Sequence, residues 1–191
     1  MKEVTQTVDD IIIGERVDES GCCALFCLID CCETDKMILM ANVGDSCGHV
    51  YMQNNQTGMI SNVYTMSIEH RPSKQNKEEY DRIINLGGLI YDNRVNGQLA
   101  VTRALGDVTL KPYVSNEPYC KTFMCNSEQH KYIVLGCDGL WDYVPSINVT
   151  TCMEGYIRDN LDFSNYAREL VKQSMQNKSS DNISVIVIEL F

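Results

Sequence analysis

The chain has 191 residues, 44% of them hydrophobic and 22% charged, with a formal net charge of −10. That length suits one domain, 1–191, with a substantial buried core, and the acidic balance argues against non-specific binding to nucleic-acid phosphates or anionic lipid headgroups. No apolar run approaches the ~20 residues of a membrane span.

The opening segment is polar and amphipathic rather than the apolar core of a signal peptide. Ten cysteines are present, five of them at Cys22, Cys23, Cys27, Cys31 and Cys32. None has C-x-x-C spacing, so they read as reduced, mostly buried small hydrophobes in a reducing compartment. That compartment is expected to be the cytoplasm, with the nucleus also open.

Residues 4–13 place Val4, Val8, Ile11 and Ile12 on one helical face. Residues 22–30 and 37–43 are apolar runs that read as buried strands. Residues 48–52 alternate and are expected to pair with 37–43 in a tight hairpin. Polar residues 53–62 follow, with a turn at Thr57-Gly58. Ser73 is a candidate N-cap for a helix over 74–86 that carries Tyr80, Ile83 and Ile84 inward and stops at Gly87-Gly88. Residues 89–91 read as a strand, and Asn96-Gly97 is a strong hairpin signal. An irregular stretch over 105–120 holds Pro112 and Pro118.

Residues 132–137 read as a fully buried strand. Ser146 is placed to cap a helix to about residue 158. A helix over 164–176 carries Tyr166, Ala167, Leu170, Val171 and Met175 on one face, and the strand 183–190 ends the chain. Strands and helices do not alternate strictly, which favours an α+β or layered sandwich with helices outside over a doubly wound parallel sheet.

Two buried runs are bracketed by acids: 132–137 runs into Asp138-Gly139, and 183–190 follows Asp181-Asn182. Acids at strand ends can converge at one rim of a sheet, where their hard oxygens suit Mg²⁺ or Mn²⁺. The alternative is that they are ordinary turn residues. Gly44-Asp45-Ser46-Cys47-Gly48 matches the letters of a nucleophile elbow around Ser46. The residues after it read as a strand where an elbow requires a helix, so a serine hydrolase is set aside. The three histidines are isolated and read as structural or exposed. Trp141 reads as a core anchor.

The ordered motifs resemble the metal-dependent protein phosphatases, the type-2C serine/threonine phosphatases. They are Ser20-Gly21-Cys22-Cys23-Ala24, Asn42-Val43-Gly44-Asp45-Ser46, Glu69-His70-Arg71-Pro72, and Arg82-Ile83 before Gly87-Gly88. Leu99 to Asp107 (LAVTRALGD), Leu135 to Asp142 (LGCDGLWD) and Ser180 to Val185 (SDNISV) complete the series. The resemblance implies a layered α-β-β-α sandwich of two antiparallel sheets flanked by helices, here lacking its first strands.

It further implies Asp138 and Asp181 as metal ligands, with Asp142 and Glu69 at a looser third site where the family usually has Asp at position 69. Asp45, Arg103 and Asp107 would be framework residues. Residues 108–118 would correspond to a flap. The implied reaction is hydrolysis of phosphoserine and phosphothreonine in proteins by a metal-activated water, with no phosphoenzyme. The family's N-terminal motifs, including its phosphate-binding Arg and general-acid His, are absent from these residues. Activity is therefore expected to be weak, and a pseudophosphatase acting as a binding or regulatory module is the alternative. Exposed sheet edges would favour homo-oligomers such as a dimer.

Overall fold

The computed structural model describes residues 1–15, 19–30, 36–125 and 130–190; Cys31 and Cys32 lie outside them. The chain divides into two compact units. The first comprises Met1–Phe26, Ala41–Ser46 and Ile68–Lys121, and the second Cys27–Met40, Cys47–Ser67 and Thr122–Phe191.

Helix α1 (Lys2–Glu15) opens the first unit, followed by β1 (Gly21–Cys22). Strands β2 (Ala24–Asp30) and β3 (Lys36–Val43) belong to a three-stranded sheet of order β2-β3-β9, with β9 at Tyr119–Cys125. Strands β4 (Cys47–Gln53) and β5 (Ile60–Thr65) belong to a four-stranded sheet. The first unit continues with α2 (Lys77–Asn85), the small hairpin β6 (Ile90–Tyr91) and β7 (Arg94–Val95), and β8 (Leu105–Gly106), which pairs with β1. The second unit adds β10 (Lys131–Gly136), α3 (Asp138–Trp141), α4 (Ser146–Arg158), α5 (Tyr166–Gln176) and β11 (Val185–Leu190).

The four-stranded sheet has the order β11-β10-β4-β5 and is antiparallel at every pairing. All six residues of β10 are buried, which is why that segment is continuously apolar from Tyr132 to Leu135 instead of alternating. Tyr132 and Val134 of β10 and Tyr51 of β4 pack with Leu140, Val149, Met153, Tyr166 and Leu170 from the helices into one core. A separate core in the first unit gathers Ile83, Val95, Val101, Ala104, Leu110 and Val114.

Several expectations are corrected. Strands β3 and β4 are not hairpin partners: β3 lies between β2 and β9, and β4 between β10 and β5. A strand as deeply buried as β4 needs backbone partners on both sides, and β10 and β5 supply them. Strand β5 was not anticipated, because its polar Ser61 and Asn62 hide the extended pattern. Segment 22–30 is half-buried rather than buried, and Leu28 is 55% exposed.

On α1 the fully buried residues are Thr5 and Asp9, while Val4 and Ile11 are exposed. Asp9 can point inward because the Gly106 amide (2.6 Å), Asn116 (2.7 Å) and Lys111 (3.2 Å) satisfy its carboxylate. On α2, Ile83 is buried but Ile84 is exposed, and Glu79 takes the inward place. On α5, Ser174 rather than Met175 faces inward. The described cysteines are thiols outside any disulfide, but only Cys47 and Cys125 are buried; Cys22, Cys23 and Cys120 are exposed. Asn96-Gly97 does form a turn, with both residues at positive φ, and a second such turn at Asp92-Asn93 closes β6 onto β7.

Candidate active site

In the second unit, Gly136 at the end of β10 pairs with Val185 at the start of β11. The segments just beyond these two residues therefore emerge at the same rim. The Cys137 amide donates to the Ser184 carbonyl at 3.2 Å, one step past the last strand pair. The chain then turns into α3, with Asp138 as its first residue and the Gly139 amide donating to Asp138 Oδ1 at 2.9 Å. Across from it, Asp181 Oδ1 accepts from the Asn182 amide at 2.7 Å.

The two acidic segments touch directly. A Cβ on Gly139 would overlap the Asn182 carbonyl oxygen, so only glycine permits this approach. The structure thus brings the Asp138 turn and the Asp181 loop together, as acids at two adjacent strand ends require. Asp142 follows one helical turn after Asp138, its amide donating to the Asp138 carbonyl at 3.0 Å. Trp141 anchors the turn: its indole nitrogen donates to the Cys47 carbonyl (3.0 Å) and the Gly136 carbonyl (3.1 Å). Its ring meets His49 edge-on at 4.6 Å. Burial holds the His49 imidazole at a pKa of about 4, so it is neutral at physiological pH.

Glu69 lies in the first unit, half-exposed, 3.8 Å from Arg71, which bonds Asp45 at 3.0 Å. Among the described residues, no cluster of three or more His, Cys, Asp or Glu side chains is placed to hold a metal ion. The donor chemistry at the rim still fits a hard divalent cation: carboxylates oriented by neighbouring amides, with Asp181 exposed. Asp138 and Asp181 are thus the acids that the two adjoining segments carry to this rim.

The remaining motifs of the first unit build framework. Asn42 Nδ2 donates to the Ile68 carbonyl at 2.7 Å, and the His70 amide donates to the Gly44 carbonyl at 3.1 Å. These bonds tie the Asn42–Ser46 and Glu69–Pro72 motifs to each other. Glu79, only 2% exposed, was not singled out by sequence. It receives Arg103 (2.7 Å), Arg82 (3.1 Å) and the Thr102 hydroxyl. Burial pushes this carboxyl up, but the three donors outweigh it and hold the pKa at about 2. The spacing of Glu79 and Arg82, with Arg103 beyond, was the available signal.

A family model described as Protein phosphatase 2C matches residues 2–183. The chain is 31% identical over 196 residues to Protein phosphatase 2C homolog 1 of Saccharomyces cerevisiae, covering 96% of this chain and 65% of that protein. It is 33% identical over 187 residues to Probable protein phosphatase 2C 2 of Oryza sativa subsp. japonica, covering 94% of this chain and 44% of that one. A solved C. elegans sex determining protein superimposes with a TM-score of 0.81 at 26% identity, over 99% of this chain and 45% of that chain. A solved phosphatase from Toxoplasma gondii gives a TM-score of 0.77 at 20% identity, over 100% and 73% respectively, a likeness of fold. The chain belongs to the protein phosphatase 2C family and has its α+β sandwich fold. It spans less than two thirds of the length of the yeast and rice proteins.

Proposed function

We propose that the chain is the metal-binding part of a Mg²⁺- or Mn²⁺-dependent protein serine/threonine phosphatase domain acting on phosphoproteins. The observation that carries this reading is the junction of the Asp138 turn and the Asp181 loop at the shared rim of β10 and β11. The Gly139 and Asn182 amides orient the two carboxylates at that rim. Trp141 and the buried β10 make the turn beneath them rigid. A divalent cation, when bound, supplies positive charge for the phosphoryl oxygens and acidifies water. Asp142, in the same unit, is the further candidate ligand, and the family match from residue 2 to residue 183 supports reading the chain as one phosphatase-like domain. With only part of a ligand set, turnover by these residues alone is expected to be weak.

The test is phosphate release from a phosphopeptide with Mn²⁺, comparing the chain with Asp138→Ala and Asp181→Ala. Metal-dependent release abolished by either substitution supports the enzyme. No release from a folded chain supports the second reading, a pseudophosphatase serving as a binding module, which the lack of a three-ligand cluster among the described residues favours.

The expected self-association is also part of this proposal. Among the described residues strand β5 ends the four-stranded sheet, and no Asp, Glu, Lys or Arg occurs from Ser46 to Ile68. An uncharged edge is the kind that pairs with another copy. Light scattering should show a dimer that Val63→Lys dissociates; a monomer at every concentration contradicts it.

A further inference from the structure

The residues flanking the two acids make a denser set of contacts than sheet pairing requires, and the centre of that set is a thiol. Cys137 Sγ donates to the Asn182 carbonyl at 3.2 Å and accepts from the Ser184 amide at 3.2 Å. The Cys137 amide bonds the Ser184 carbonyl as well. On the other side of Asp138, the Gly139 carbonyl accepts from Ser174 Oγ (2.6 Å) and Ser179 Oγ (3.2 Å). Ser179 Oγ in turn accepts from the Asp181 amide at 3.4 Å. Cys137 is thus bonded to Asn182, beside Asp181, and Gly139 is linked through Ser179 to the Asp181 amide itself.

A cysteine at the end of a buried strand is ordinarily a small hydrophobe. Cys137 is not placed as one. The buried run stops at Gly136, Cys137 is only half-buried, and its sulfur sits between a backbone carbonyl and a backbone amide. Both of those groups belong to the loop that carries Asp181. Backbone polar groups at a half-open rim need partners, and the thiol supplies one to each.

We propose that Cys137 is a positioning residue: its thiol clamps the Asp181 loop onto the Asp138 turn and so sets the separation of the two carboxylates. Metal ligation tolerates errors of only about 0.2 Å in ligand distance, so loosening the clamp weakens cation binding without removing a ligand. The cation part of this inference rests on the metal-binding reading above; the clamp itself does not. Serine at 137 keeps a donor and an acceptor, but its shorter bond draws the oxygen back from both partners. It should restore part of the effect.

The test uses the full chain and Mn²⁺ alone, titrated by electron paramagnetic resonance, with amide hydrogen exchange measured on the metal-free protein. Cys137→Ala should weaken Mn²⁺ binding about 10–100-fold, as loss of an outer-shell partner does. Cys137→Ser should fall between it and the parent, and Ser179→Ala should weaken binding as well. In Cys137→Ala the Ser184 amide should exchange faster, while the amides of β10 keep their protection. If Asp138→Ala abolishes binding and Cys137→Ala leaves both affinity and Ser184 exchange unchanged, the clamp is wrong and the metal reading stands. If Asp138→Ala and Asp181→Ala leave Mn²⁺ binding intact, the metal reading falls, and Ser184 exchange alone decides the clamp. Should Cys137→Ala fail to fold, Cys137→Ser and Ser179→Ala decide by the same two readouts.

Discussion

Two carboxylate environments distinguish the two units. In the first, Glu79 is sealed in and held by two guanidinium groups and a hydroxyl, so its charge is neutralised where it stands. In the second, Asp138 and Asp181 sit at the open ends of strands and are oriented by the amides of Gly139 and Asn182. A carboxylate satisfied by buried cations contributes to the fold and has little left to offer a ligand. On the proposed reading, one oriented by neighbouring amides at a rim is the kind that a cation draws on. The same side-chain chemistry therefore serves structure in one place and, in the proposed function, a metal site in the other.

Breaking the first environment should have the largest effect. Glu79→Ala strands Arg103 and Arg82 against a buried wall, and it should cost about 3–5 kcal/mol of stability in urea denaturation. A loss below about 1 kcal/mol, the scale of an exposed pair, would show the network to be solvated.

The pH dependence is next. Burial first, then Arg103, lowers the His70 pKa to about 4, while Glu79 and the bond to Gly44 oppose the shift. Between about 6.5 and 4 the unfolded chain takes up a proton that the folded chain refuses. Stability should therefore fall as the pH drops through that window, and His70→Asn should flatten the slope. A profile unchanged by His70→Asn would contradict a buried neutral imidazole. The smallest effect is expected at Met175, which is 64% exposed. Met175→Lys should shift the denaturation midpoint by less than about 0.5 kcal/mol, whereas a large loss would mean that α5 buries a different face.

Much of this was legible in the sequence, for identifiable reasons. Strand β10 could be read because burial of all its residues leaves an uninterrupted apolar run, and the Asp138 and Asp181 segments could be read because they bracket such runs. Partners could not. Nothing local in Cys47–Gln53 says that β10 and β5, rather than β3, complete its hydrogen bonds. Strand β5 was hidden by Ser61 and Asn62, whose propensities favour turns. Inward-facing polar residues were misassigned throughout: Asp9, Glu79 and Ser174 are buried because a distant donor or acceptor satisfies each. Hydrophobic periodicity gives each such place to an apolar neighbour, as it did with Ile84 and Met175.

The most direct test of the central claim is anomalous diffraction from crystals of the chain grown with Mn²⁺. A site shared by the two loops predicts a single strong peak at the β10–β11 rim, about 2 Å from an oxygen of both Asp138 and Asp181. A peak elsewhere, or an empty rim at saturating Mn²⁺, would contradict it.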